Sequence, residues 1–527
     1  MKINLFTYLL ICSTAANAQS PFVFKKIDGF QQPRQIQTTN KLLFFTSYDT
    51  AHHICASEGS TATTTAIITP NGQPVLLQAM DISSTTLVSF FIANSNTASL
   101  WQTNGTKAGT QKIADLGIND AVTYNGKIYF SGIDNNTKND LWATDGTVAG
   151  TVMIKDFNIA PTTAYMYNMH IHNGKLFFTI TGLGTGAELW ISDGTTAGTL
   201  QVGINTQSGN PPKHINSLTS FGNNLLFVLE DDTYGAELWI SDGTTAGTQR
   251  LTDINPGIGS SIQSGLTVMN GYIYFTAYST ATGVELWKTD GTIAGTKMVK
   301  DIDPSNNGGV IGIFAVHDNH LYFSADDNVH GQELWRTDGT DAGTVMVSDI
   351  VAGTDDSNPS DFISYNGNLY FGAEYAGKGT QLYVAMKDNS VKPIYPASLV
   401  NSPLLGFDKF KPFIKDGYVY FAARYSTGTD SLWAVKDTTG AASVAATDKA
   451  VDLLIYPNPA NHNFTIKTST PFKTGSVTLT DATGSVVKTE ILYNNEQTIS
   501  LQGIAPGMYM ADIWLDERRK TQKLLIQ

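Results

Sequence analysis

The chain has 527 residues, of which 41% are apolar and 15% are charged, which indicates a globular protein with a large core and more than one domain. Its 48 glycines and 10% aromatic residues, with short polar clusters between apolar runs, favour an all-β fold over long helices. The formal net charge of -13 argues against nucleic-acid binding, which needs a basic stripe to displace counterions from phosphates.

The chain begins with the layout of a secretory signal peptide. Lys2 precedes an apolar run over 3–12, and the small residues Ala16-Asn17-Ala18 stand before Gln19. We therefore predict a signal peptide over 1–18 that is cut between Ala18 and Gln19.

The cysteines and apolar runs limit which anchors, disulfides and membrane helices the mature chain can have. A lipid anchor on Cys12 is disfavoured, because Ile11 stands where such a signal has a small residue. Cys55 is then the only cysteine, so no intramolecular disulfide is expected. No later apolar run approaches the eighteen or so residues of a membrane helix, so we predict no transmembrane helix in the mature chain.

A tryptophan in a Leu-Trp context recurs about every 48 residues and is the main regularity of the chain. The positions are Trp101, Trp142, Trp190, Trp239, Trp287, Trp335 and Trp433, with Tyr383 in the same context. A degenerate first copy has Cys55 in the tryptophan position. The sequence thus predicts nine copies of one unit.

Each copy predicts four short antiparallel strands. In residues 264–302 the strands are expected over 265–269, 272–277, 284–288 and 297–302. Asn-Gly dipeptides join the first two strands in a type I′ turn, which needs positive φ at both central residues. They occur at Asn125-Gly126, Asn173-Gly174, Asn270-Gly271 and Asn366-Gly367.

The second strands read Leu-Phe-Phe or Ile-Tyr-Phe, so both faces of each sheet must be covered. Stacking the sheets as blades around an axis covers every copy, and we predict a β-propeller of four-stranded blades, nine by motif count or eight if the Cys55 copy is incomplete. Leu189 and Trp190 should point to opposite neighbours. An open solenoid or two smaller rings are the alternatives.

The ends of the repeat region predict how a ring would close. The last copy has no clear fourth strand over 441–446, whereas Val23-Phe24-Lys25-Lys26-Ile27-Asp28 resembles the fourth strands of other copies. We therefore expect the N-terminal strand to complete the final sheet and hide both edges.

The segment Glu-Leu-Trp-x-Ser/Thr-Asp-Gly-Thr-x-Ala-Gly-Thr, called the motif below, occurs at 188–199, 237–248, 285–296 and 333–344. Variants begin at Leu100 and Leu141. The motif resembles that of bacterial secreted proteins known for ELWxxDGT repeats, over about residues 22–440. The resemblance implies export and a repeat architecture spanning 19–440, but no reaction.

The polar residues of the motif predict a turn. Asp193 should accept backbone N–H bonds, Gly194 and Gly198 should take positive φ, and the threonines should bond to carbonyls. The same roles fall to the pairs Asp145-Gly146, Asp242-Gly243, Asp290-Gly291 and Asp338-Gly339. Calcium binding by Asp193, Asp242, Asp290 and Asp338 is a weaker alternative, because the ligand pattern of known calcium loops is missing. No other cofactor is expected.

The region before position 450 has few residues that suggest catalysis. We therefore expect that this protein is not an enzyme. The only arginines there are Arg34, Arg250, Arg336 and Arg424. The motif carboxylates Glu188, Glu237, Glu285 and Glu333 could form an acid and base pair of a glycosidase, although repeated residues favour an architectural role. His170 and His172 share a face of a strand and could bind a metal, whereas His52, His53 and His330 are expected in loops.

The tail over 452–527 follows a small-residue linker over 441–451 and differs in kind. It contains Tyr456-Pro457-Asn458-Pro459, alternating strands, Gly507 and Tyr509, and a last segment starting at Lys523. It looks like the C-terminal sorting domain of the type IX secretion pathway, a small β-sandwich. The resemblance implies transport across the outer membrane by that machinery, followed by surface attachment or release. A carbohydrate-binding sandwich is the alternative.

Three functions remain open: a binding or adhesion module for a glycan or a surface protein, a polysaccharide-degrading glycosidase or lyase, and a purely structural surface protein. Binding is favoured because propellers carry sites on their loops.

Overall fold

The computed structural model describes residues 22–437 and 453–527, apart from 28–33, 40, 49–50, 94–96, 135–138, 158–163, 183–185, 207–209, 306–308, 375–378, 396–412, 416, 424–430, 469–474, 481–485, 493, 502–503 and 516–517. The predicted signal peptide, linker and segment 441–446 lie outside these residues. Two compact units are present, Met1–Thr438 and Thr439–Gln527.

The described part of the first unit is built from strands and one 3-10 turn, Thr61–Thr63, which agrees with the all-β prediction. It contains nine four-stranded antiparallel sheets. In chain order the strands are β1 (Phe22–Ile27), β2 (Arg34–Thr38), β3 (Leu43–Tyr48), β4 (His52–Ser57), β5 (Thr65–Ile68), β6 (Pro74–Ile82), β7 (Thr85–Ile92), β8 (Thr97–Thr103), β9 (Gln111–Ala114), β10 (Leu116–Tyr124), β11 (Lys127–Asp134), β12 (Asn139–Thr144), β13 (Val152–Lys155), β14 (Tyr165–His172), β15 (Lys175–Thr181), β16 (Glu188–Ser192), β17 (Leu200–Val202), β18 (His214–Phe221), β19 (Asn224–Asp231), β20 (Gly235–Ser241), β21 (Gln249–Arg250), β22 (Ile262–Met269), β23 (Tyr272–Ser279), β24 (Gly283–Thr289), β25 (Lys297–Lys300), β26 (Val310–His317), β27 (His320–Ala325), β28 (Glu333–Thr337), β29 (Val345–Ser348), β30 (Ser360–Tyr365), β31 (Asn368–Glu374), β32 (Thr380–Ala385), β33 (Val391–Pro393), β34 (Phe413–Lys415), β35 (Tyr418–Ala423) and β36 (Ser431–Asp437).

Sheets 1 to 8 each take four consecutive strands, from β2–β5 for sheet 1 to β30–β33 for sheet 8. Sheet 9 has the order β1-β36-β35-β34, so the N-terminal strand completes it as predicted. The register pairs Phe22 with Asp437 and Ile27 with Leu432. This pairing covers the edge of β36 that would otherwise present free N–H and C=O groups.

Both faces of each sheet are buried against a neighbouring sheet. In sheet 4, Phe178 and Trp190 belong to the apolar cluster shared with sheet 3, whereas Phe177 and Leu189 belong to the cluster shared with sheet 5. The prediction that Leu189 and Trp190 point to opposite neighbours is therefore confirmed. A fully buried side chain of this size contributes about 1.5–3 kcal/mol, so this packing is the main source of stability.

Sheet 9 packs in the same way on its two sides. On one side Phe22 joins Tyr370 and Leu382 of sheet 8 in one cluster. On the other, Ile27 and Tyr420 join Leu43, Phe45 and Cys55 of sheet 1. The last sheet thus contacts the first, and the buried Cys55 occupies the position that tryptophan has in other copies.

The first strands of successive sheets are also linked by polar side chains at β-bulges. Asn168, with a φ of 58°, donates from Nδ2 to the carbonyl of Ile215 in the next first strand at 3.0 Å. Likewise, Asp120 Oδ2 accepts from the Met169 backbone N–H at 2.8 Å. Because these bulges break the ladder within a sheet, their polar groups are available to fix the neighbouring sheet.

The second unit has two sheets around one core. Its strands are β37 (Leu453–Tyr456), β38 (Asn463–Thr468), β39 (Gly475–Thr480), β40 (Val486–Leu492), β41 (Glu496–Ser500), β42 (Gly507–Leu515) and β43 (Arg518–Ile526). The sheet orders are β37-β38-β41 and β40-β39-β42-β43. Phe464 and Ile499 of the first sheet share one apolar cluster with Val477, Ile513 and Leu524 of the second.

Across the described ranges of both units, no helix is long and apolar enough to span a bilayer.

Candidate functional site

The motif turns have one hydrogen-bond network that repeats from sheet to sheet. In sheet 4, Asp193 Oδ1 accepts from the backbone N–H of Thr195 at 2.9 Å and from its hydroxyl at 2.7 Å. The Thr199 hydroxyl donates to the Thr195 carbonyl at 2.6 Å. These bonds lower the pKa of Asp193 by stabilising its ionised form. The same bonds occur at Asp145, Asp242, Asp290 and Asp338.

The two glycines of the turn have different roles. Gly194 has a φ of 90°, as predicted, which a residue with a side chain adopts only at a cost. The prediction for Gly198 is wrong, because Gly198 is not among the residues with positive φ. Its lack of a side chain is needed for space instead, since a Cβ there would lie 2.0 Å from Asp193 Oδ1.

The exposed aspartates of the motif lie one to each turn, in successive sheets. Over the described residues, no group of three or more His, Cys, Asp or Glu side chains is placed to hold a metal ion. The calcium alternative therefore has no ligand cluster in these parts of the chain.

The motif glutamates are buried and bond to the chain that leaves the fourth strand of their own sheet. Glu285 accepts from the backbone N–H of Ile302 at 3.0 Å and of Asp303 at 3.2 Å, and Glu333 does the same with Ile350 and Val351. These carboxyls therefore hold the connection to the next sheet.

Two other motif glutamates have side-chain partners. Glu237 accepts from the hydroxyls of Thr252 and Ser261, and Glu188 accepts from the Trp190 indole. Burial raises the pKa of Glu237 and Glu285 to about 7. Each of the four carboxyls lies in a different sheet and accepts hydrogen bonds from its own neighbours.

The predicted histidine pair is brought together on one serine of the next sheet. His170 Nε2 and His172 Nδ1 lie 2.8 Å and 3.1 Å from Ser220 Oγ. Burial lowers the pKa of His170, which favours the neutral form of its ring beside this hydroxyl. The pair thus links sheets 4 and 5.

The loop assignment of the other histidines is partly wrong. His52 and His53 begin strand β4, because their pairing with Tyr48 and Ser47 extends the ladder. His330 lies outside the strands and bonds Asp327 at 2.8 Å, and this contact raises the pKa of His330.

The arginines do not converge among the described side chains. Arg250 lies in sheet 5 and Arg336 in sheet 7, where Arg336 donates to Asn389. The Arg34 side chain and residue Arg424 lie outside the described part of the chain.

Lysines that the sequence reasoning did not single out tether neighbouring sheets. Lys155 Nζ donates to the Thr199 carbonyl of the next motif turn at 3.1 Å and lies 5.1 Å from the Trp190 ring centroid. Lys300 donates to the Thr344 carbonyl at 3.2 Å in the same manner. In the sequence these tethering lysines are marked by a Lys-Asp pair at the end of the fourth strand, at 155–156 and 300–301.

In the tail, the structure brings the predicted sorting residues together. Asn458 Nδ2 donates to the Lys523 carbonyl at 2.7 Å, and Asn458 Oδ1 accepts from the Leu525 backbone N–H at 2.9 Å. The peptide bonds before Pro457 and Pro459 are cis. Asn458 thereby fastens the last strand, β43, to the segment that enters the unit.

Two tyrosines of this unit donate hydrogen bonds to other segments of it. The Tyr456 hydroxyl donates to Glu496 Oε1 at 2.6 Å. Tyr509, which follows Gly507 in β42, donates to the Ala505 carbonyl at 2.8 Å.

Residues 454–527 match the family of secretion system C-terminal sorting domains. This confirms the interpretation of the tail. The chain is directed by the type IX secretion machinery to the cell surface or the extracellular space.

No curated protein sequence matches the chain. Among solved structures, it is similar to PorZ, a surface component of the type IX secretion system of Porphyromonas gingivalis, with 11% identity, coverage of 96% of this chain and 100% of that chain, and a TM-score of 0.30. The extracellular domain of the putative one-component system BT4673 of B. thetaiotaomicron gives 11% identity, coverage of 94% and 81%, and a TM-score of 0.29. A puromycin-hydrolyzing peptidase of Mycobacterium tuberculosis gives 10% identity and a TM-score of 0.38, with coverage of 66% of this chain and 57% of the peptidase.

Proposed function

We propose that this protein is an exported ELWxxDGT-repeat protein whose nine sheets form the blades of a closed β-propeller, and that it binds a glycan or a surface protein without catalysis. A signal peptide over 1–18 would take it across the inner membrane, and the sorting domain takes it onward.

Contacts between the first and last sheets support a ring. Tyr420 of sheet 9 donates from its hydroxyl to the Gly59 carbonyl of sheet 1 at 3.2 Å, and Lys25 of β1 donates to the same carbonyl at 2.7 Å. Together with the shared apolar cluster, these bonds join the two ends of the repeat array. A ring closed in this way has no free sheet face or long free edge.

The observation that carries the binding proposal is that the repeated polar side chains are engaged in hydrogen bonds that hold the repeats together. The motif aspartates accept hydrogen bonds within their own turns, and Glu285 and Glu333 accept them from the segments that lead to the next sheet. Catalysis needs a set of residues that differs from the repeat and converges on one point. Recognition needs only loops and grooves that differ among otherwise equal copies.

A combined binding and hydrolysis experiment tests this proposal. The chain lacking residues 1–18 would be applied to a glycan array and to an array of purified bacterial surface proteins, and the release of reducing ends from the bound polysaccharides would be followed in parallel. We expect saturable binding and no turnover above heat-denatured protein. Sustained release of reducing ends, or of unsaturated lyase products, would overturn the assignment as a non-catalytic module. Absence of binding on both arrays, with ordered self-association, would favour the purely structural alternative.

A further inference from the structure

One groove between neighbouring sheets of the first unit combines an aromatic wall with charged side chains. A cavity of about 370 Å³ lies between sheets 5 and 6. Its walls include Arg250, Thr252, Asp253, Trp287 and Ile293.

At this groove Thr252 takes the position that the tethering lysine has in sheets 3 and 6. Thr252 follows Thr248 by four residues, as Lys155 follows Thr151 and Lys300 follows Thr296. Where lysine is present, its side chain crosses to the next motif turn. The shorter Thr252 instead donates to Glu237 Oε2 of its own sheet at 3.0 Å, so the groove stays unfilled.

The opposite wall lacks a second link. In sheet 4, Thr196 of the motif turn donates to the Ile154 carbonyl of the preceding sheet at 2.7 Å. Ile293 has the corresponding position in sheet 6 and cannot make this bond. It is 74% exposed and forms an apolar lip beside the indole of Trp287.

In the walls of the cavity, hydrogen-bond donors of Arg250 lie beside the acceptor oxygens of Asp253. Arg250 lies with its guanidinium 3.3 Å from the centroid of the Tyr234 ring and donates from Nη1 to Asp253 Oδ2 at 2.9 Å. Asp253 Oδ1 and Trp287 Nε1 are buried and have no hydrogen-bond partner within the described structure. The Arg250–Asp253 pair is neutral overall, and its remaining guanidinium N–H groups stay available as donors.

We propose that this cavity binds one hexose residue of a neutral glycan. A sugar hydroxyl both donates and accepts, so adjacent hydroxyls match a carboxylate beside a guanidinium. The C–H face of the ring matches Trp287 and Ile293, and the volume lies within the range of about 300–1,000 Å³ of small-molecule sites. Asp253 beside Arg250 disfavours an acidic sugar. This inference rests on the proposed binding function, of which it names the site and the ligand class.

The test compares three variants with the wild-type chain lacking residues 1–18. Thr252→Lys restores the tether found elsewhere in the repeat and fills the cavity. Asp253→Ala removes the acceptor, and Asp301→Ala makes the matched change beside Lys300, whose side chain crosses to the next motif turn. Titration calorimetry would use cellotriose, maltotriose, mannotriose and chitotriose as neutral probes and trigalacturonate as the acidic probe, with melting temperatures as a check on folding.

We expect at least one neutral probe to bind, a loss of about tenfold or more in affinity for both cavity variants, and a change of less than about twofold for Asp301→Ala. If Thr252→Lys does not fold, Asp253→Ala alone decides. Wild-type affinity in the folded cavity variants would overturn the assignment of the site while leaving the proposed binding function standing. Preference for trigalacturonate would overturn the neutral ligand class. No binding of any saccharide would overturn both this site and the glycan form of the proposed function.

Discussion

The buried motif glutamates make stability depend on pH in a direction that can be worked out. Glu237 and Glu285 are fully buried, and desolvation raises the pKa of each from 4.5 to about 7. Each carboxyl therefore keeps its proton in the folded state at a pH where the unfolded chain has lost it. The resulting stabilisation is complete below pH 4.5, is lost as the pH rises towards 7, and changes little above that.

The magnitude follows from the size of the shift. Between pH 5.5 and 7 the contribution of each carboxyl to the free energy of unfolding falls by about 1.4 kcal/mol per pH unit, or about 2 kcal/mol in all. Because the two carboxyls lie in different sheets, their effects should add to about 4 kcal/mol. Glutamine has no charge to bury at any pH. We therefore expect the double variant Glu237→Gln/Glu285→Gln to lack this part of the pH dependence.

Urea unfolding at pH 5.5 and at pH 8.5 measures the effect as the difference between wild type and variant. The exposed Glu58→Gln serves as the matched control and should follow the wild type. If the double variant loses as much stability between the two pH values as the wild type does, the two buried carboxyls do not hold protons in the folded protein, and the reasoning is refuted.

Three further predictions concern the turn, the N-terminal strand and the tail. Gly198→Ala should cost about 2 kcal/mol in thermal unfolding, but much less in an Asp193→Ala background, because the added Cβ meets the Asp193 carboxylate; equal costs in both backgrounds would contradict this cause. Phe22→Ala should cost about 3–5 kcal/mol and the exposed Val23→Ala under about 1 kcal/mol in the same assay, and similar costs would speak against burial of β1 in sheet 9. Asn458→Ala should lower the melting temperature of the sorting unit and the fraction of protein delivered to the surface, measured by protease accessibility on intact cells; unchanged values for both would show that the Asn458 bonds are dispensable.

Local patterns were sufficient to predict the repeated parts of the fold. The apolar pairs in the second strands required two covered faces, and Phe177 and Phe178 do face different neighbours. The likeness of 23–28 to other fourth strands predicted the pairing of β1 with β36, because strands with equal roles carry equal patterns. The tail was predictable from its end segments, which Asn458 brings together.

The roles of buried polar groups were not predictable, because they depend on partners distant in sequence. Glu285 contacts a backbone segment seventeen and eighteen residues later, and periodicity does not indicate where that segment passes. The sequence aligns Thr252 with Lys155 and Lys300, but only the structure shows that these lysines cross to the next motif turn. His52 was assigned to a loop because its strand is defined by its partner, Tyr48, rather than by its own composition.

Closure of the repeat array by β1 is the central claim, and a cross-strand disulfide tests it most directly. Val23 pairs with Lys436 in the register of β1 and β36, so cysteines at these two positions lie within about 4.5–5.5 Å of each other at Cβ. In a chain with Cys55→Ala, we predict near-complete oxidation of the Val23→Cys/Lys436→Cys pair on non-reducing gels, with a faster-migrating band that dithiothreitol removes. The control pair Val23→Cys/Val435→Cys points to opposite faces and should stay reduced. Equal oxidation of both pairs, or of neither, would contradict closure by this strand.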